Sequence, residues 1–456
     1  MPPHWMNDPQ GLALLEAAKR EYDDTAPRLV LSDWLEEQGE QDAAQALRRS
    51  LQEVDSSHWL SEEAARRWWP VNSFTNGWPG LANNYPLLGE ALDPVAVRWM
   101  LAVWFPLHIR IPEDAAGLVL SPNLQNVVDL HFGFSVPGAE GAVALANSPF
   151  SSNLRSLRIG NSGIEAVGAI ALAESPYLGN LRRLDISAND IGNAGAMALI
   201  RSETLAQLVD LNIGCNEIDI GFIRFLADSP KLAQLRSLDL SGTSLGSTAI
   251  RVLFESPYLL KPSKLDFSVV SGMGPGEVEI LVSSARADHL QSLNLSGNKF
   301  GDAFALVLAN SNHVGNLVEL NLEETGLGVE GLRAIAHSAR LTNLTSLNID
   351  NNPFGDEGAI VLANATALNH LTHLDLSHTE IGDVGVKALA ESPVMANLRY
   401  LDLRCREYKI GVEGIEELIR SPQLSPLLHL RLYSFTGADD LYNRLCERFP
   451  EIDLDN

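Results

Sequence analysis

Three groups of residues have types and spacing that could do chemistry. Gly242-Thr-Ser244-Leu-Gly246 matches G-x-S-x-G, the pattern of a nucleophilic serine on a strand-to-helix turn. Gly272-Met-Gly274-Pro-Gly276 has the glycine density of a phosphate loop, and His373, His378 and Asp350 offer imidazole and carboxylate groups to a metal. Each group fails a specific requirement. Ser244 stands where equivalent turns carry Lys299, Gly326, Pro353 and Glu380, so the serine belongs to a recurring turn. No Gly-Lys-Ser/Thr follows the glycine string, and Pro275 removes a backbone N–H that a phosphate would need. The His and Asp residues lack a recognised ligand spacing. The expectation is therefore a chain without catalytic residues, metal or cofactor.

What remains is the chemistry of binding. One polar residue recurs between two apolar ones: His131, Arg158, Asp185, Asn212, Asp239, Asp266, Asn294, Asn321, Asn348, Asp375, Asp402 and Arg431. Such a row either solvates a sheet or forms an acidic, hydrogen-bonding strip for a basic partner, with Asp239, Asp375 and Asp402 among its charges. Toward the C-terminus the flanking positions change character. Small Ser, Gly and Ala give way to Glu319, Glu323, Glu324, Asp350, His373, His378, Tyr400, Arg404, His429, Arg431 and Tyr433. Tyr and Arg anchor interfaces, so the expected partner-binding set combines the strip with these residues. Histidines there would tune binding below pH 7.

The elements that hold these residues follow from a repeat. Leu371–Pro393 reads LTHLDLSHTEIGDVGVKALAESP. Leu374 and Leu376 alternate as on a strand with one buried face, whereas Ile381, Gly385, Ala388 and Leu389 take helical spacing. Ser392, preceding Pro393, is pushed out of the αR region and ends the helix. Equivalent starts fall at Val127, Leu154, Leu181, Leu208, Leu235, Pro262, Leu290, Leu317, Leu344, Leu371, Leu398 and Leu427, nearly always 27 residues apart. The units starting at Pro262 and Leu398 run to 28 and 29 residues. There Val270 and Arg406 interrupt another polar series (Ser135, Ser162, Asn189, Asn216, Thr243, Asn298, Thr325, Asn352, Thr379), which reads as partners for buried backbone at the strand exit. Local disorder or a functional loop is expected at both interruptions. The repeat predicts about eleven parallel strands on one face.

The pattern L-x-x-L-x-[LI]-x-x-[NT]-x-[IL]-G-x-x-G resembles the leucine-rich repeats of ribonuclease-inhibitor-like proteins, over about two-thirds of the chain. That resemblance implies a curved α/β solenoid, with a parallel sheet on its concave face and helices outside. Stacking also follows from size, because one unit cannot bury its own leucines.

Residues 1–69 lack the repeat and read as a small all-α domain. Asp8-Pro9 opens a first helix, Thr25 to Gln38 forms a second carrying Leu31, Trp34 and Leu35 inward, and further helices are expected near Gln41–Val54 and from Ser61 to Trp69. Trp34 reads as a core anchor, with Glu36 and Glu37 on a solvated face; the other reading is an exposed acidic-aromatic docking motif. The run from Thr25 through Arg28, Asp33-Trp34-Leu35-Glu36-Glu37 to Gly39 resembles the bacterial repeat-companion domain, which implies repeats downstream and no known activity. After Gly39 the chain departs from that family's pattern. Residues 70–125 read as an adapter and N-terminal cap with Leu107-His-Ile109 as a strand, 126–437 as the repeats, and 438–456 as a capping helix and tail.

Composition narrows the class. The chain of 456 residues carries a net charge of -25, which argues against nucleic acid as a partner. No apolar run reaches membrane-spanning length, and Met1–Gln10 lacks signal-peptide features, so a cytoplasmic location is expected. Cys215, Cys405 and Cys446 read as structural thiols. Together these features point to a non-enzymatic scaffold binding a protein partner; the alternative, by fold analogy, is a regulator of an enzyme such as a small GTPase or a ribonuclease.

Overall fold

Alternation over three residues suffices to define each strand, because the central leucine is buried while its neighbours stay on the opposite face. The computed structural model describes residues 8–20, 25–38, 44, 48, 74–75, 78–79, 107–108, 124–125, 128–132, 138–405, 410–433, 439–449 and 451–455. Two compact units divide the chain, residues 1–211 and 212–456.

In the first unit, helices Pro9–Arg20 and Thr25–Glu37 form where expected. Asp8 caps the first, its Oδ1 accepting from the N–H groups of Gln10 and Gly11 at 2.8 and 3.1 Å. Trp34 is buried, and a Cβ on Gly11 would lie 2.3 Å from its indole ring, so glycine lets the two helices meet. Asp33 and Glu36 pair with Arg48 at 2.7 and 2.5 Å. The third and fourth expected helices lie outside the described residues, apart from Ala44 and Arg48. β1 (Phe74–Thr75) and β2 (Trp78–Pro79) pair antiparallel. β3 (Leu107–His108), β4 (Asp129–His131), β5 (Ser156–Arg158) and β6 (Arg183–Asp185) pair in parallel, so the expected strand at Leu107 does join the sheet. Helices Gly138–Asn147, Glu165–Glu174 and Gly192–Arg201 follow β4, β5 and β6. β7 (Asp210–Asn212) spans the boundary between the units.

The second unit carries β8 (Ser237–Asp239), β9 (Lys264–Asp266), β10 (Ser292–Asn294), β11 (Glu319–Asn321), β12 (Ser346–Asn348), β13 (His373–Asp375), β14 (Tyr400–Asp402), β15 (His429–Tyr433) and β16 (Glu451–Asp455). All pair in parallel and in chain order. β16 extends the series beyond the expected strands. β16 also corrects the reading of the C-terminus: helix Asp439–Arg448 forms as expected, but the tail behind it is a strand. Ile452 and Leu454 repeat the alternation of Leu430 and Leu432, with which they are in register.

Three hydrogen-bond ladders tie successive coils together. The first runs through the polar series after the strands, whose described members are all buried. Asn352 Nδ2 donates to the carbonyls of Leu322 and Ile349 at 2.8 and 3.0 Å, and its Oδ1 accepts from the Leu327 N–H at 2.8 Å. Asn189 and Asn298 bridge their own and the preceding coil in the same way. Val270 takes this position in the first lengthened unit; it is buried, and its N–H donates to Asn298 Oδ1 at 3.0 Å. Arg406 lies outside the described residues. The second ladder uses the serine that follows many of the helices: Ser256 and Ser338 donate to the carbonyls of Ala227 and Ala309, both at 2.6 Å, one coil back. The third uses helix first turns. Asp356 Oδ1 accepts from the N–H groups of Gly382 and Gly385, both at 2.8 Å, and Asp302 and Asp383 serve the next coil similarly.

Lengthened units keep the strand register. Lys264 faces Ser292 and Tyr400 faces His429 across separations of 28 and 29 residues. In the first case the extra backbone follows Val270, where Gly272 has φ +84° and would place a Cβ 2.9 Å from Gly246 Cα, so no side chain fits.

Candidate functional site

The recurring Asp or Asn of each strand has a local duty. Its Oδ1 accepts the backbone N–H two residues on: Asp239 from Ser241 at 2.8 Å, Asn294 from Ser296 at 3.0 Å, Asn348 from Asp350 at 2.9 Å, and Asp375 from Ser377 at 2.9 Å. A short acceptor thus turns the chain out of most strands, which accounts for the run of Asp and Asn from Asp185 to Asp402; β4, β5 and β15 carry His131, Arg158 and Arg431 instead. The residue that follows next adopts a left-handed conformation in coil after coil, including Glu324, Asn351 and His378 at φ 52°, 55° and 52°.

At β13 to β16 the open face of the sheet becomes a linked set of large side chains. Parallel pairing aligns His373, Tyr400, His429 and Glu451 in one row and Asp375, Asp402, Arg431 and Asp453 in the next. His373 stacks on Tyr400 at 6.0 Å between ring centroids, and His378 meets Tyr433 edge-on at 6.3 Å. Asp402 lies at the centre and is 0% exposed. Its carboxylate binds Arg404 at 2.7 Å, lies 3.5 Å from Arg431 and accepts from the Tyr400 hydroxyl at 3.3 Å. Arg431 bonds Asp453 at 2.9 Å, and His429 Nδ1 lies 3.0 Å from Glu451 Oε2. β16 thus supplies two carboxylates to the row. They were legible only as alternation in EIDLD.

Carboxylates collect beside this set. Burial raises the pKa of Asp375, and the charges of Asp402 and Asp350 add to it, while hydrogen bonds from Ser377 act in the opposite direction. Burial likewise raises Asp350, helped by Glu323 and opposed by Ser377; Asp350 Oδ1 is buried with no hydrogen-bond partner. Burial, followed by the charge of His429, lowers the pKa of His373. The Tyr400 phenol is raised by burial against a hydrogen bond with Arg431.

The expected binding residues divide accordingly. Glu323, Asp350, His373, His378, Tyr400, His429 and Tyr433 lie exposed or half-buried on the open face of β11 to β15 and the turns that follow. Arg404 and Arg431 are there too, but their guanidinium groups are committed to Asp402 and Asp453, and wholly buried Asp402 acts through them. Asp239 lies on β8, five strands before β13. The serine of G-x-S-x-G is exposed in the turn after β8, its N–H donating to the Ile218 carbonyl at 3.3 Å. The glycine string opens helix Pro275–Val282, where Glu277 reaches back to the Gly274 N–H at 2.9 Å. Among the described residues, no three His, Cys, Asp or Glu side chains are grouped to hold a metal ion, and no helix is long and apolar enough to cross a membrane.

Strands with one buried leucine, the asparagine ladder and helices on the opposite face define a leucine-rich-repeat solenoid. Comparison supports that class. Residues 150–173, 180–199, 288–303, 316–336, 340–363 and 367–390 match the leucine-rich repeat family model. A chain of the yeast Rad7–Elc1 complex is similar in structure, with a TM-score of 0.55 and 18% identity over 98% of either chain. An internalin, InlF, from Listeria monocytogenes aligns with a TM-score of 0.36 and 16% identity over 64% of this chain and 88% of its own. No curated protein shows significant sequence similarity.

Proposed function

We propose that the chain is a non-enzymatic, cytoplasmic interaction scaffold that holds a protein partner on the open strand face of β11 to β16. The observation that carries this reading is the change in the rows at β13. Lys264, Ser292, Glu319 and Ser346 stand where the aromatic run His373, Tyr400 and His429 follows, and Tyr400 in that run is held by a buried Asp402 with its arginines. An unliganded structure gains little from rigid aromatic rings on an open face, whereas an interface gains contact area at low entropic cost. The uncompensated carboxylates of Glu323, Asp350 and Asp375 favour a partner with basic side chains. The fold-level relative in yeast occurs in a complex with another protein, which is consistent with a scaffold role. The ribonuclease-inhibitor-like type of the repeats and the repeat-companion character of the N-terminal helices belong to the same proposal.

The test is comparative capture from the native cell. A protein retained by the full chain, and by Asn212→Ala, should be lost or weakened with Tyr400→Ala and Tyr433→Ala. The expected cost is about 1 to 3 kcal/mol for either tyrosine, against less than about 0.5 for Asn212. If both tyrosine variants keep the partner while removal of residues 1–69 releases it, the receptor is the helical domain and the reading fails.

A further inference from the structure

We propose that the stacked pair His373–Tyr400, with His429 in register beside it, forms a proton-operated row, which holds a cationic partner segment at neutral pH and loosens it as protons are added. The inference deepens the proposed function and rests on it for the partner. Its geometry stands independently. The three residues are register partners on β13, β14 and β15, so two imidazoles flank one phenol across successive strands. The His373 ring lies 6.0 Å from the Tyr400 ring at an interplanar angle of 22°. His429 Nδ1 faces Glu451 Oε2 at 3.0 Å, and Thr372 Oγ1 lies 2.9 Å from His373 Nδ1.

The charged surroundings decide the direction. Along this row Glu451 on β16 faces His429, and Glu319 on β11 faces toward His373 with its own cation, Lys264, 3.8 Å away. In the neighbouring row Asp375, Asp402, Arg431 and Asp453 form a set in which both oxygens of Asp402 and the Arg431 guanidinium are already paired. Neutral imidazoles therefore leave the row with the negative charge of its carboxylates. A positive charge on His429 would offset Glu451, 3.0 Å away, and would oppose a proton on His373, whose pKa is held down first by burial and then by that neighbour. Each proton added to the row repels a bound cation. The tyrosine between them stays uncharged throughout, since burial raises its phenol.

Two measurements on the full chain test this. In histidine-labelled protein followed by NMR, the His373 midpoint should lie below that of an ordinary imidazole and move up in His429→Gln; an unmoved midpoint overturns the coupling. For binding, the probe is a nona-arginine peptide measured at pH 7.5 and 5.5 against the chain and its His373→Gln/His429→Gln double variant. The affinity ratio of the chain to the variant should fall about fourfold between the two pH values, the effect of one unit charge roughly 7 Å from a partner cation at an effective dielectric near 60. A constant ratio overturns the switch, and so does a fall of the same size in the Tyr400→Ala background, where no stack exists. A captured protein indifferent to Tyr400→Ala would sink the open-face function instead, leaving the NMR result to stand or fall alone.

Discussion

Replacing Asn352 by alanine removes the amide that joins two coils. The side chain is wholly buried, donates to the Leu322 and Ile349 carbonyls and accepts from the Leu327 N–H. Alanine leaves at least one N–H and one C=O buried without partners, and each costs about 1 to 3 kcal/mol. The expected loss is therefore about 2 to 5 kcal/mol, concentrated in the coils of β11 and β12. Threonine, which equivalent positions carry as Thr325 and Thr379, donates to a carbonyl of its own coil, with Thr325 also reaching Asn352 Oδ1 at 3.4 Å, but has no amide to bridge the preceding coil's carbonyl. Asn352→Thr should accordingly cost about half as much, because the Leu327 N–H stays unpaired. A stacked array need not unfold in one step, so the assay is native-state hydrogen exchange at the amides of β11 and β12. Alanine should speed their exchange by about 30-fold or more, since each 1.4 kcal/mol is tenfold. Exposed Glu357, paired with Arg333 at 3.4 Å, is the control, with an expected change under about 0.5 kcal/mol. An Asn352→Ala effect as small as that of Glu357→Ala would refute the ladder as a source of stability.

Ser338→Ala removes the 2.6 Å bond to the Ala309 carbonyl and should cost about 1 to 2 kcal/mol by urea unfolding; no loss would mean that the helix-terminal serines only stop helices. Asp402→Asn leaves Arg404 and Arg431 without their buried counter-charge and should destabilise by about 3 kcal/mol, most visibly in faster exchange of β14 and β15. Asp375→Asn tests linkage. Its folded pKa is raised, so its charge destabilises the fold above that pKa, and the penalty is absent below the ordinary value of 3.8. Asparagine, already present at the paired position Asn348, should therefore stabilise the chain at pH 7 and lose that advantage near pH 3. His373 has the opposite sign: its lowered pKa costs stability as pH falls from the ordinary 6.5 through the folded value, so His373→Gln should gain relative stability at pH 5, measured by thermal unfolding.

Repetition made most of the fold legible. Leucine columns at a near-constant 27-residue interval fix strand register without any knowledge of tertiary contacts, because a slip of one residue would turn every column to solvent. The lengthened units starting at Pro262 and Leu398 bear this out, since Leu265 still faces Leu293 and Leu401 still faces Leu430. Residue type also revealed the change at β13, where a run of His and Tyr follows Ser, Glu and Lys. Partner choice among polar side chains was not legible, because it depends on distances across coils that spacing does not encode. Arg404 and Arg431 read as free anchors and are held by Asp402; the helix-ending serines read as stops and are rungs. The tail EIDLD read as an end and is a strand. Its five residues are too short for alternation to prove pairing, and only the unpaired edge of β15, with Leu430 and Leu432 in register, makes a strand there favourable.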